Sequence, residues 1–135
     1  MKFDPVTTAT WTPRILSVLR IVAGLLVLQY GLAKHVGWPA VKMFEHLQWH
    51  SLYGIAGLFE LVGGILLVLG LFTRCVAFVL CGEMAAAYFI EHFPRGFFPL
   101  LNHGELAVIL SFICLYLAVA GGGPWSLDAT MRKKG

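Results

Sequence analysis

Six polar side chains stand inside stretches of sequence that are otherwise apolar: Arg20, Lys34, Glu60, Glu83, Asn102 and Glu105. Ionisable groups are costly in hydrocarbon, so each is a candidate for ligand binding, proton transfer or ion pairing. At about 100° per residue, Ser17, Arg20, Gly24, Val27, Gly31 and Lys34 fall within roughly a third of one helix's circumference. Tyr53, Gly57, Glu60 and Gly64 form a second stripe. Its glycines, with Gly24 and Gly31, are candidate helix-packing positions where another backbone can come close. Glu60 should therefore face protein. Glu83 aligns with Val76, Val79, Ala86, Ala87 and Ile90, and Asn102 and Glu105 align with Ile109, Phe112 and Tyr116.

A rise of about 1.5 Å per residue places Glu60 and Glu83 each roughly 13 Å from one end of its helix. The simplest expectation is a central group of Arg20, Glu60 and Glu83, with an outer group of Lys34, Asn102 and Glu105. Two readings stay open: ion pairs that fix helix register, or a site for a polar or redox-active ligand or a proton path. Asn102 and Glu105 also fit an N-x-x-E capping box. His46 and His50, four apart, are weak metal candidates, with no third ligand at a diagnostic spacing. No nucleophile elbow, phosphate loop or C-x-x-C-H occurs, so catalytic residues stay unassigned. Cys75, Cys81 and Cys114 read as free, buried thiols.

These residues need helices to position them. The chain of 135 residues is 59% hydrophobic and 13% charged, with a mean hydropathy of +0.79, far from the roughly quarter-charged composition of soluble domains. Its apolar runs match the roughly 20 residues that cross a bilayer core of about 30 Å. The expected architecture is all-α, a single-domain integral membrane four-helix bundle over 1–135 with spans near 13–34, 51–72, 74–92 and 102–121. Thr12-Pro13 reads as N-cap and first helical residue. The stretch 37–50, with two tryptophans, suits an interfacial segment between the first two helices. Gly70 should end the second helix and Thr73 cap the third, with Arg74 anchoring a short cytoplasmic turn.

The net charge of +3 does not indicate nucleic acid, because the basic residues sit at segment ends. Lys2, Arg14, Arg74, Arg132, Lys133 and Lys134 outnumber Lys34, Lys42 and Arg95 on the opposite side. The excess places both termini in the cytoplasm. The first apolar run is longer than a secretory h-region and carries Arg20, so it reads as a retained helix.

The blocks LRIVAGLLVLQYGLAKH, FELVGGILLVLGLFTR, EMAAAYFIEHFP, NHGELAVIL and GGGPWSLD, in this order over Leu19 to Asp128, resemble the DoxX family. On this resemblance Arg20, Gly24, Gly31, Lys34, Glu60, Gly63, Gly64, Gly70, Thr73, Arg74, Met84, Ala87, Asn102, Glu105, Ser126 and Asp128 occupy characteristic positions. The resemblance implies a four-helix protein of the bacterial inner membrane. The family takes its name from a component linked to terminal quinol oxidase and thiosulfate:quinone oxidoreductase in an archaeon. Other members are associated with oxidative or electrophile stress, and a eukaryotic branch assists receptor assembly.

Three functions compete: a small subunit or accessory of a quinone-linked redox system, a non-catalytic assembly or scaffold protein, and a small-solute or proton transporter. Quinone is the one cofactor suggested. The expected partners are the lipid bilayer, membrane redox subunits and further copies of the chain.

Overall fold

The computed structural model describes residues 4–134, so the expected topological role of Lys2 lies outside the described residues. Four long helices dominate: α1 (Pro5–His35), α2 (Leu52–Leu69), α3 (Thr73–Ala87) and α5 (Glu105–Ala120). Between the last two lies the short α4 (Pro99–Asn102), and α6 (Leu127–Arg132) follows at the end. The helix of α3 continues through a widened π turn, Tyr88–His92, and a tight 3-10 turn, Phe93–Arg95. Outward-facing Ile15, Val22, Leu58, Val62, Ile65, Phe78 and Phe112 give the bundle an apolar exterior. α1, α2 and the continuous Thr73–Arg95 helix are long and apolar enough to span a membrane, whereas α5 has 16 residues. At about 1.5 Å per residue α5 alone falls a few ångströms short of a roughly 30 Å core. This is an all-α membrane bundle.

The helix ends differ from the sequence expectation in three places. α1 starts at Pro5, not Pro13, because the Asp4 carboxylate accepts the Thr7 amide at 3.2 Å and Pro5 occupies the first turn. Thr12 therefore does not cap. Its hydroxyl donates back to the Thr8 carbonyl at 2.7 Å inside the helix. Thirty-one residues span about 46 Å, more than the hydrocarbon core, so Pro13 costs its one backbone bond near the water-exposed end.

α2 ends at Leu69, with Gly70 in the left-handed conformation, φ +69°. Gly70 thus terminates the helix as expected. Thr73 does not cap α3: the Asp128 carboxylate accepts the amides of Phe72 at 2.8 Å and Thr73 at 2.9 Å from across the turn.

At the fourth helix, Asn102 closes α4, His103 turns left-handed, and Gly104 precedes α5. The capping box does not form. Asn102 spends its side chain on the Gly104 amide (2.8 Å), the Gly96 carbonyl (2.8 Å) and the Tyr88 hydroxyl (3.4 Å). Glu105 is instead the first residue of α5, where a negative charge suits the helix dipole.

α1 and α2 pack antiparallel through their glycines. A Cβ at Gly24 would meet Val68, at Gly64 the Leu28 backbone, at Gly31 the Leu61 backbone and at Gly57 the Lys34 side chain. The paired numbers add to 91 or 92 throughout, as a fixed antiparallel register requires. Every expected packing glycine is therefore a point of close approach. α3 packs on α5 around buried Ala77, Leu80, Met84, Leu110, Cys114 and Leu117, and Ala23, Val27 and Leu67 join them in one core.

Candidate functional site

The expected polar groups regroup into separate centres. Lys34, expected in the outer group, instead reaches Glu60 of the expected central group: its ammonium donates to both carboxylate oxygens, at 2.8 and 2.7 Å. Both side chains are more than nine-tenths buried. Gly57 makes the pair reachable, since a side chain there would overlap the Lys34 stem. A bidentate, desolvated pair of this kind is held by charge-assisted bonds and is costly to break from one side.

Glu83 lines the same cavity from α3, and neither of its carboxylate oxygens has a hydrogen-bond partner although both are buried. The cavity has a volume of about 210 Å³ and lies between α2 and α3, with Tyr53, Phe59, Ala87 and Glu91 among its walls. Buried polar groups are normally satisfied, and an orphan carboxyl calls for a donor. Three carboxyls, those of Glu60, Glu83 and Glu91, and one ammonium therefore line a small, half-open space. The arrangement can hold a compact molecule that offers a donor to Glu83, or pass a proton between the acids.

Arg20 does not join them. Its guanidinium, fully buried, donates to the carbonyls of Gly122 (2.9 Å), Val68 (2.6 Å), Leu67 and Trp125. The expected Arg20–Glu60–Glu83 group is thus absent. The last carbonyls of α2 have no intrahelical partner, and a forked cation satisfies several at once while opposing the helix dipole. Ser17, beside Arg20 on α1, accepts the Trp125 amide at 3.1 Å. Arg74 acts similarly at the end of α5, donating to the Val119 carbonyl. These contacts, with the Asp128 cap, fasten the chain's last segment to the middle of α1 and across the turn between α2 and α3.

Asp128 lies outside the spans. Burial alone would raise its pKa, but hydrogen bonds from Thr73 and Phe72, and the charge of Arg132, hold the carboxyl below its ordinary value. Its capping role had no local signal, because a cap supplied from 55 residues away leaves no mark in sequence spacing. The neighbouring Ser126 caps α6, its hydroxyl accepting the Ala129 amide at 3.2 Å.

The remaining candidates separate. Asn102 and Glu105 do not meet Lys34, and the face carrying Ile109, Phe112 and Tyr116 points outward, so no inner polar seam runs along α5. His46 and His50 lie in turns after the 3-10 turn Lys42–Phe44 rather than on a helix, so the four-residue pairing does not arise. Among the described residues no group of three potential metal ligands converges. His35 instead bonds the Gly54 carbonyl at 2.9 Å and packs its ring on Trp49 at 4.7 Å, pinning the segment that follows α1. Of the cysteines, Cys114 is buried, Cys81 half-buried and Cys75 exposed, against the expectation of burial for all three.

Comparison with known proteins agrees with this architecture. A family model described as DoxX matches residues 15–93. The chain is 41% identical to an "Uncharacterized protein" of Haemophilus influenzae, covering 92% of this chain and 96% of that one. It is 28% identical to "Uncharacterized membrane protein Rv3486" of Mycobacterium tuberculosis (86% and 80% covered). It is 27% identical to "Putative oxidoreductase CatD" of Bacillus subtilis (86% of each). No solved structure matches. The chain belongs to the DoxX family.

Proposed function

We propose that this DoxX-family membrane protein is a small subunit or accessory of a quinone-linked redox or oxidative-stress system, and that the Lys34–Glu60–Glu83 cavity receives the quinone head group. The observation that carries this reading is Glu83: a carboxyl with both oxygens buried and unpartnered, facing a cavity beside a tight ion pair. A quinone ring offers carbonyl acceptors to the Lys34 ammonium, and its reduced form offers hydroxyl donors to Glu83. The surrounding walls are apolar, as small-molecule sites generally are. The name of the Bacillus subtilis relative, an oxidoreductase, points the same way. We place the protein in the bacterial inner membrane with both termini cytoplasmic, on the lysine and arginine distribution. Further copies of the chain and membrane redox subunits are its proposed partners.

The test is a titration of purified protein in lipid nanodiscs with a short-chain benzoquinone and its hydroquinone, read as a thermal shift. The wild type should show a saturable rise that Glu83→Gln abolishes. No shift with either form would contradict the reading and favour a scaffold role.

A further inference from the structure

The cavity is asymmetric along the bundle axis. On the side away from Arg20, α2 and α3 carry polar residues in sequence from the buried acids outward. Tyr53 lies about two turns from Glu60, and Glu91 about two turns from Glu83, and all four line one continuous space with Ala56 and Ala87 between them. Exposure rises along this line. The Glu60 side chain is 6% exposed, Glu91 26% and Arg95 59%, with Arg95 ion-paired to Glu91 at 3.6 Å. The π turn at Tyr88–His92 lies where this line reaches the surface, and such widened turns are frequent at functional sites.

In the other direction the path closes. Inward of Glu60 and Glu83 come Gly63, packed on the Leu80 side chain, then Leu67 and Ala77, both fully buried. At this level the Ser111 hydroxyl donates to the Cys81 carbonyl at 3.1 Å, but none of the described helix residues between there and the Arg20 and Asp128 fastening is charged. Glu83 shares its cavity with Lys34 from α1, Tyr53 and Glu60 from α2 and Glu91 from the α3 helix, while His35 stands near Glu60, Arg95 pairs with Glu91, and the Cys81 and Cys114 thiols lie close by. All of the charged ones lie level with Glu83 or on its outward side. Among the described residues, charged side chains thus lead from Glu83 to one surface only.

We infer that the buried acids exchange protons and small polar solutes with one aqueous side, the side where α1 ends and His35 is pinned, through a portal formed by Tyr53 and Glu91. This does not depend on the ligand being a quinone.

Cysteine accessibility tests it in the full-length protein with Cys75, Cys81 and Cys114 replaced by alanine. Glu83→Cys, and Ala56→Cys and Ala87→Cys, which leave every carboxylate in place, are treated with a membrane-impermeant thiol reagent in intact cells and in inverted vesicles. Lys42→Cys and Met131→Cys mark the two sides. All three cavity cysteines should label only from the side that labels Lys42→Cys, and adding Tyr53→Trp should slow labelling at position 83 at least tenfold while sparing position 42. Labelling from the Met131 side would overturn the inference. So would labelling of the cavity cysteines by a membrane-permeant reagent alone, which would mean access through the lipid.

Discussion

The Arg20 guanidinium and the Glu83 carboxylate oxygens are both buried, yet they stand in opposite circumstances. Arg20 has a carbonyl for each of its nitrogens, whereas Glu83 has no partner for either oxygen. Arg20→Lys keeps the charge but loses the fork, and a charged hydrogen bond contributes about 1.5–3 kcal/mol. We expect Arg20→Lys to lower stability in detergent by at least about 2 kcal/mol, and the double exchange of Arg20 and Glu83 to be no better than the worse single change, as thermal denaturation would show. Recovery in the double variant would mean that the two residues pair after all. The stripe containing Arg20, Gly24, Gly31 and Lys34 was legible from helical periodicity, because burial follows the helix face. The partners were not, because Arg20 binds backbone carbonyls about 50 and 100 residues away, and carbonyls carry no sequence signature.

At the level of helices, the glycines divide into those that touch another backbone and those that do not. A Cβ at Gly31 would collide with the Leu61 backbone, while one at Gly82 meets nothing within 4 Å. Gly31→Val should therefore abolish or severely reduce folded protein on size exclusion, since α1 cannot approach α2. Gly82→Ala should be neutral or raise stability by up to about 1 kcal/mol through helix propensity. Equal behaviour of the two would refute the register.

The Asp128 cap at the start of α3 has a pH signature. Its folded pKa lies below the ordinary 3.8, so its contribution is fully present above that value and is lost as pH falls through the folded value. Asp128→Asn should melt earlier than wild type at pH 7, with the gap narrowing in acid. A gap independent of pH would mean that the carboxylate charge does not hold the cap. Helix existence and type were legible in the apolar runs. Their ends were less so: Thr12-Pro13 looks like a start, but Asp4-Pro5 offers the same chemistry earlier. Asn102-x-x-Glu105 looks like a capping box until Gly96, Gly104 and Tyr88 claim the asparagine.

The whole molecule has two unlike ends. One is fastened by Arg20, Arg74 and Asp128, which tie the turn after α2 and the last segment together. The other holds the α1–α2 connection, the α4 turn and the portal of the acid cavity. With the basic residues concentrated at the fastened end, reporters fused after Gly135 should read as cytoplasmic, and insertions near Lys42 or Gly96 as periplasmic. A periplasmic reading after Gly135 would reverse the orientation and place the portal in the cytoplasm.

We propose that the acid cavity is kept for a ligand or a proton and not for stability. The most direct test is to measure thermal stability and complementation of a deletion phenotype side by side for Glu83→Gln and Glu60→Gln. Glu60→Gln strands the buried Lys34 ammonium, and breaking such a pair from one side costs about 3–5 kcal/mol in soluble proteins. Glu83→Gln removes an acid that no side chain supports, so it should melt at or above the wild-type temperature while failing to complement, the trade-off expected where a strained group is kept for function. A Glu83→Gln protein that complements fully at wild-type abundance would show that the cavity acid serves no ligand or proton.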